Sequence, residues 1–349
     1  MLLVLGLVAI LWGVGAMMGA PRKTRLTMIA VLYVAVLMLH LALPDGHPLR
    51  ASTGESAALW LLIGGFGALA YGYRRGLGVL RSRASTAEAS AEAARGPKKL
   101  FTETELNRYA RHIVLREVGG PGQKALKQAR VLVVGAGGLG APALQYLAAA
   151  GVGTIGVIDD DVVENANLQR QVIHKDARIG LPKVFSAQAE MEAQNPYVTV
   201  RPYHRRLEAD VAAELIADYD LVLDGTDNFE TRYLVNRAAV AAGKPLISGA
   251  LSQWEGQLSV FDPARGAPCY QCVFPQAPAR DLAPSCAEAG VIGPLPGVLG
   301  AMMAVEAIKV ITGAGTPLRG QMVIYDALYG ESRTIGIARR KDCPTCGAR

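Results

Sequence analysis

The distribution of hydrophobic positions divides the chain into two parts. The first part contains three long runs without Asp, Glu, Lys or Arg, at residues 1–20, 26–44 and 57–73. Runs of this length are typical of helices that cross a membrane, although the third is close to the minimum length and rich in glycine. The pattern therefore predicts a membrane segment at residues 1–83 with three transmembrane helices. Two spans, or a buried helical hairpin of a soluble protein, are the alternatives.

The stretch between the two parts has a different composition. Residues 84–100 are mostly small and polar. Such a sequence is typical of a semi-flexible or partly helical linker, and Gly96 and Pro97 mark its end. The remaining residues, 101–349, are expected to form one domain.

Strand-like and helix-like segments alternate in this second part. Arg130–Val134 is an almost continuous apolar run, as expected for a strand that is buried on both faces of a parallel sheet. A glycine-rich turn and a segment of helical composition follow it, and Thr154–Ile158 and Asp220–Asp224 have the composition of further strands. The pattern predicts an α/β domain with a Rossmann-like, mostly parallel sheet.

Charge is distributed as unevenly as hydrophobicity. The net charge is +6, but residues 1–83 hold eight basic and two acidic residues, so residues 84–349 hold 28 of each. A neutral domain argues against nucleic acid as a partner. The basic residues at 22–25 and 74–83 flank the apolar runs, and three spans place both groups on the cytoplasmic side. A signal peptide would carry its basic residues before the first run, not after it.

These features together predict the location of the protein. We expect a multi-pass protein of the inner (cytoplasmic) membrane with its larger domain in the cytoplasm.

The glycine-rich turn has the spacing of a nucleotide-binding loop. Its sequence places glycine at four positions: Gly135, Gly137, Gly138 and Gly140. Glycines in a strand–turn–helix context let the backbone approach phosphate, and the helix N-terminus attracts negative charge. Asp159 ends the next strand, where a carboxylate accepts hydrogen bonds from ribose. This motif alone fits a nicotinamide-dependent dehydrogenase almost as well as an ATP-using enzyme.

Polar residues downstream favour ATP. Arg170 and Lys183 provide positive charge and Asn167 provides an amide, as a site that breaks a phosphate bond requires. A carboxylate after the strand at 220–224 would hold Mg²⁺ against the phosphates. Asp224 and Asp227 compete for that role. Alternatively, Asp224 caps the turn, and Asp227 or Asn228 caps the following helix.

Four of the five cysteines form two C-x-x-C pairs, namely Cys269, Cys272, Cys343 and Cys346. This spacing predicts a closed four-cysteine zinc site that fastens the C-terminus to the domain, with disulfides as the weaker alternative in a reducing cytoplasm. The fifth, Cys286, is either a small buried residue or a reactive thiol.

The motifs together resemble those of the HesA/MoeB/ThiF family, whose members are related to the adenylation domain of ubiquitin-activating enzymes. The resemblance covers residues 101–349 but offers no explanation for residues 1–100. It is carried by the glycine turn, Lys183, both C-x-x-C pairs and four segments: Arg108–Ile113, Asn167–Gln171, Thr226–Asn228 and Cys286–Val291.

The resemblance implies a role for each candidate residue. Gly138 would lie against the phosphates, Asp159 on the ribose, and Asn167, Arg170 and Lys183 on the triphosphate. Asp227 would hold magnesium, with Asn228 beside it. Arg111 would enter the active site of the other subunit of a homodimer.

The activity implied is ATP-dependent adenylation of the C-terminal glycine carboxylate of a small ubiquitin-like sulfur-carrier protein with a Gly-Gly tail. The small subunit of molybdopterin synthase is the favoured carrier, which would place the reaction in molybdenum cofactor biosynthesis. The alternatives are a thiamine-pathway carrier, a NAD-dependent oxidoreductase and a non-catalytic membrane adaptor. The expected cofactors are ATP, Mg²⁺ and Zn²⁺.

Overall fold

The computed structural model describes residues 2–54, 56–94, 100–278 and 289–347. The chain divides into two compact units, Met1–Lys98 and Lys99–Arg349. Cys286 and the end of the predicted linker, residues 95–99, lie outside the described residues.

The first unit is helical. Its helices are α1 (Leu2–Met17), α2 (Arg22–Ala42), α3 (Pro48–Thr53) and α4 (Ala57–Ala94). Val4, Val36 and Trp60, from three different helices, form its small buried cluster. Most other large apolar side chains of α1 and α2 are exposed, as Leu2, Val31 and Met38 illustrate.

The length of these helices only partly matches the three predicted spans. α2 has 21 residues, a mean hydropathy of 2.0 and only 11% burial, and it is long and apolar enough to cross a membrane. α1 is apolar but has 16 residues. α4 runs for 38 residues, so it includes the third predicted span and most of the predicted linker. Length and composition alone are weak support, and the number of spans stays a prediction.

The second unit contains a sheet with the predicted parallel part. Its strands are β1 (Arg130–Val134), β2 (Thr154–Ile158), β3 (Thr199–Tyr203), β4 (Leu221–Asp224), β5 (Leu246–Ser252), β6 (Glu255–Phe261), β7 (Gln321–Asp326) and β8 (Glu331–Gly336). Within the described residues their order is β3-β2-β1-β4-β5-β6-β7-β8. The pairs from β3 to β5 are parallel, and β6, β7 and β8 extend the sheet antiparallel. The predicted α/β fold is confirmed.

Helices cover both faces of the parallel strands. They are α5 (Glu103–Arg108), α6 (Ala110–Ile113), α7 (Gly119–Gln128), α8 (Gly140–Ala150), α9 (Lys183–Gln194), α10 (Ala209–Ala217), α11 (Phe229–Ala242), α12 (Tyr270–Val273) and α13 (Pro294–Thr312). α13 is also long and apolar enough to span a membrane, but 44% of it is buried and it packs in the domain core.

Strand β1 shows why the core forms where the sequence places it. Val131 and Val133 belong to the cluster on one face, with residues of α8, α9 and α13. Leu132 and Val134 belong to the cluster on the opposite face, with residues of α10 and α11. Because successive side chains of a strand point to opposite faces, a continuous apolar run has both faces buried. Because β1 pairs in parallel with both β2 and β4, the carboxyl ends of these three strands lie side by side.

Candidate active site

The glycine turn after β1 is built by close backbone contacts. Gly135 has a φ of +93°, a conformation that side-chain-bearing residues rarely adopt. A Cβ on Gly140 would lie 1.9 Å from the carbonyl oxygen of Gly135, and one on Gly138 would lie 3.1 Å from Pro296. α8 can therefore begin directly behind the turn only because these positions carry no side chain. The backbone is left free to approach a ligand.

Asp159 anchors this turn to the end of β2. Its Oδ2 accepts a hydrogen bond from the Ala136 N–H at 2.7 Å, and its Oδ1 accepts one from the Asp161 N–H at 2.8 Å. Burial raises the pKa of the Asp159 carboxyl, while these backbone donors act in the opposite direction. Carboxylate oxygens have more than one lone pair, so Asp159 retains acceptor capacity for a ribose hydroxyl.

A cavity of about 480 Å³ opens at the carboxyl ends of the parallel strands. Eight of the predicted residues line it: Gly135, Gly137, Gly138, Asp159, Arg170, Lys183, Asp227 and Asn228. Two others, Gly140 and Asn167, do not contribute to its lining. Gly140 supports the turn from behind. Asn167 is buried in a 3₁₀ turn, and its backbone carbonyl accepts hydrogen bonds from the Arg170 and Gln171 N–H groups.

Lys183 is the most buried cation of this cavity. Its side chain is 6% exposed, and its Nζ lies 2.7 Å from Asp161 Oδ2. The residue opens α9, where the helix dipole is unfavourable for a positive charge. The Asp161 carboxylate compensates the charge of Lys183, and an anionic phosphate would offer the ammonium group a second partner.

Three further arginines line the cavity beside Arg170 and Lys183, and no sequence motif marks them: Arg205, Arg206 and Arg232. Arg232 lies 4.0 Å from the buried Asp224. Arg205 and Arg206 follow β3, whose position beside β2 brings them to the same sheet edge as the other candidates. Gln171 also lines the cavity, and its buried Oε1 has no hydrogen-bond partner among the described residues. A buried acceptor of this kind is suited to a donor on a ligand.

The structure separates the two acidic residues that compete for magnesium. Asp224 is fully buried, and its carboxylate accepts hydrogen bonds from the Thr226 N–H, the Thr226 hydroxyl and the Ser248 hydroxyl. Asp227 is exposed and lines the cavity, so its oxygens are available to a cation. Asn228 caps α11 by accepting from the Thr231 N–H at 2.8 Å. The exposed position of Asp227 is compatible with the predicted magnesium ligand, whereas the hydrogen bonds of Asp224 support the turn.

His174 connects the glycine turn to α9. Its Nε2 lies 2.9 Å from the Ala136 carbonyl oxygen, and its Nδ1 lies 3.0 Å from the Ser186 hydroxyl. A carbonyl only accepts, so Nε2 carries the proton and Nδ1 accepts from Ser186. Burial lowers the pKa of His174 to about 4, with Lys183 and Arg178 adding to the effect, so the ring is neutral near pH 7.

The four predicted cysteines come together although about 70 residues separate the pairs in sequence. All four are buried and carry no disulfide. Their Sγ atoms are 3.9 Å apart for Cys269–Cys272, 3.6 Å for Cys269–Cys343 and 3.4 Å for Cys272–Cys346. Tetrahedral zinc with Zn–S bonds of about 2.3 Å requires spacings of this size. The thiols fit the predicted metal, and the arrangement fastens the C-terminal segment to α12.

Arg111 does not line the cavity of its own chain within the described residues. It lies on the short helix α6 and is exposed to solvent. Its predicted contact with the ATP of a partner subunit stays a prediction.

Known proteins match the second unit closely. The family model described as "ThiF family" matches residues 109–345. The sulfur carrier protein adenylyltransferase of Thermus thermophilus is 51% identical over 71% of this chain and 93% of its own length. The SAMP-activating enzyme E1 of Haloferax volcanii is 48% identical over 70% of this chain and 90% of its own length.

A solved structure has a similar fold. The crystal structure of E. coli MccB with ATP is 25% identical, with a TM-score of 0.61, and covers 72% of this chain and 77% of that one. The enzyme class that the sequence resemblance implies, an adenylyltransferase, is the class given in the name of the Thermus relative. On the extent and identity of these matches, the chain belongs to the ThiF family.

Proposed function

We propose that the protein uses ATP to adenylate the C-terminal glycine carboxylate of a small ubiquitin-like sulfur-carrier protein. The observation that carries the proposal is a group of cations around a cavity walled by the glycine turn: Arg170, Lys183, Arg205 and Arg206, with Arg232 paired to Asp224 beside them. Negative charge grows on the phosphates when the bond between the α- and β-phosphates breaks, and preorganised cations stabilise it. A hydride-transfer site has no comparable need for this charge.

The reaction follows from these positions. The carrier's carboxylate attacks the α-phosphate of ATP, pyrophosphate leaves with the electrons of the broken P–O bond, and an acyl-adenylate of the carrier forms. The nucleophile is already ionised near neutral pH, so the enzyme needs no general base. Magnesium, held by Asp227, would neutralise phosphate charge. Asp159 would orient the ribose, and Lys183 and Arg170 would stabilise the departing pyrophosphate.

The favoured carrier is the small subunit of molybdopterin synthase, which would place the enzyme in molybdenum cofactor biosynthesis. The Thermus relative, which is named as a sulfur carrier protein adenylyltransferase, supports a sulfur carrier as the substrate. The choice of molybdopterin synthase rests on the resemblance of the motifs in residues 101–349. ATP–pyrophosphate exchange measured with each Gly-Gly-tailed carrier of the same genome tests this assignment. Exchange that depends on a thiamine-pathway carrier would contradict it.

Two features of the assembly belong to the same proposal. A homodimer would bring Arg111 of one chain to the cavity of the other, since Arg111 is exposed and outside its own cavity. The first unit would anchor the enzyme in the cytoplasmic membrane, with the catalytic unit in the cytoplasm.

The exposed apolar faces of α1 and α2 and the basic residues at 22–25 and 74–83 support this topology. A reporter fused after Arg83 should report a cytoplasmic location, and one inserted at residues 44–50 should not. A periplasmic signal from the fusion after Arg83 would contradict the topology.

A further inference from the structure

One face of α11 carries polar side chains at intervals of one turn. Asn228, Arg232 and Asn236 are four residues apart, so they lie above one another along the helix. Asn228 caps the helix at the nucleotide cavity, and Asn236 lies two turns away beside the four-cysteine site. The helix therefore links the nucleotide cavity to the four-cysteine site.

Asn236 contacts the first cysteine in two ways. It is fully buried, and its Nδ2 donates to the Cys269 Sγ at 3.7 Å. Its Oδ1 accepts from the Tyr270 N–H at 2.9 Å, which fixes the backbone directly after that cysteine. Asn236 therefore fixes the position of Cys269 through both its sulfur and its backbone.

Arg232 makes the connection at the other end. It donates to the Thr226 carbonyl, it lies 3.4 Å from the Ser248 hydroxyl, and its Nη1 is 4.0 Å from Asp224. Thr226 immediately precedes Asp227, so this buried network fixes the turn that carries the proposed magnesium ligand.

Tyr270 provides a second connection. It lies between Cys269 and Cys272, it is 3% exposed, and it forms part of the wall of the nucleotide cavity. Its ring contacts Tyr233 of α11 and Phe261 at centroid distances of 5.5 and 5.7 Å. A change in the position of the cysteine turn must therefore move part of the cavity wall.

We propose that Asn236 is a positioning residue for the metal at the four cysteines, and that α11 and Tyr270 couple occupancy of that site to nucleotide binding. The coupling rests on the proposed function for its nucleotide, whereas the role of Asn236 toward the metal does not. Coupling between two binding sites is reciprocal, so zinc raises the affinity for Mg·ATP by the factor with which Mg·ATP raises the affinity for zinc.

The first experiment measures zinc loading of the full-length protein by competition with a chromophoric chelator. Asn236→Ala should need about 10–100-fold more free zinc for half-loading than the wild type, as for other residues that support metal ligands. Arg237→Ala is the matched control, because Arg237 is the neighbouring residue of α11 and is exposed. Asn236→Asp keeps the acceptor for the Tyr270 N–H and removes the donor to sulfur. Wild-type zinc loading by either Asn236 variant would overturn the proposal.

The second experiment measures Mg·ATP affinity by calorimetry on wild-type protein, zinc-loaded or stripped by a chelator that is then removed. The zinc-loaded protein should bind Mg·ATP at least about fivefold more tightly than the stripped protein, and fivefold is the lower end of typical allosteric coupling. Asn236→Ala should recover nucleotide affinity when excess zinc fills its site. Equal affinity with and without zinc would overturn the coupling. A complete lack of Mg·ATP binding by the zinc-loaded wild type would instead refute the proposed function, while the zinc titration would still test Asn236.

Discussion

Lys183→Met is expected to slow adenylation by about 10²–10³-fold, which is the cost of removing one preorganised charge stabiliser. This loss corresponds to about 3–4 kcal/mol of transition-state stabilisation. The substitution keeps the aliphatic stem of a side chain that is 6% exposed and removes only the ammonium group. The rate effect therefore reports the missing charge and not a cavity in the core.

The same geometry predicts a small effect on stability. The Lys183 ammonium pairs with Asp161 at 2.7 Å, but the Asp161 side chain is 67% exposed. When the lysine is removed, water hydrates that carboxylate, so the free energy of unfolding should change by about 1 kcal/mol or less.

The assays are carrier-dependent ATP–pyrophosphate exchange and urea unfolding. Lys175→Met is the matched control, because the Lys175 side chain is 53% exposed and pairs with Glu190 at 3.6 Å outside the cavity. The control should exchange at the wild-type rate. Two results would contradict this role of Lys183: exchange by Lys183→Met within about fivefold of wild type, or a loss of more than about 3 kcal/mol in unfolding free energy.

Three further predictions concern other residues. The folded-state pKa of His174 is lowered from 6.5 to about 4. The contribution of the neutral ring to the free energy of unfolding is therefore complete above pH 6.5 and is lost as the pH falls toward 4. It amounts to at most about 3 kcal/mol of unfolding free energy, and an unchanged pH profile in His174→Gln would contradict it. Cys343→Ser should lower both bound zinc and the melting temperature, because structural zinc contributes folding free energy; full zinc retention, measured by atomic absorption, would refute this. Mixed Arg111→Ala and Lys183→Met proteins should recover up to about a quarter of wild-type exchange after subunit exchange, since half of the dimers are mixed and each has one complete site. No recovery, with subunit exchange confirmed by native mass spectrometry, would place Arg111 outside the partner's site.

The sequence predicts features that depend on local spacing. β1, the glycine turn and the start of α8 follow one another without interruption, so their geometry is decided within a few residues. The four-cysteine site can be predicted in the same way, because tetrahedral zinc requires four ligands and the spacing of each C-x-x-C pair supplies two.

Features that depend on distant contacts were harder to predict. Only the fold shows that Asp224 is enclosed by Thr226 and Ser248, so that Asp227 alone of the two faces the cavity. The contribution of Arg205 and Arg206 depends on β3 lying beside β2, a pairing that the residues themselves do not state. The role of Asn236 depends on a contact with Cys269 across 33 positions.

In the first unit, composition did not locate the end of a helix. The charge-free run at 57–73 suggested a helix that ends near the membrane surface, but α4 continues to Ala94. Residues 84–94 contain no proline or glycine and are rich in alanine, so nothing in their sequence stops a helix that has already begun.

The most direct test of adenylation is intact-mass spectrometry of the carrier protein after incubation with the enzyme, Mg·ATP and pyrophosphatase. The carrier should gain one adenylyl group on its C-terminal carboxylate, and it should gain none when its terminal glycine is deleted or when the enzyme carries Asp227→Asn. An unmodified carrier in every reaction, together with tight binding of a nicotinamide dinucleotide to the cavity, would contradict the proposed adenylation.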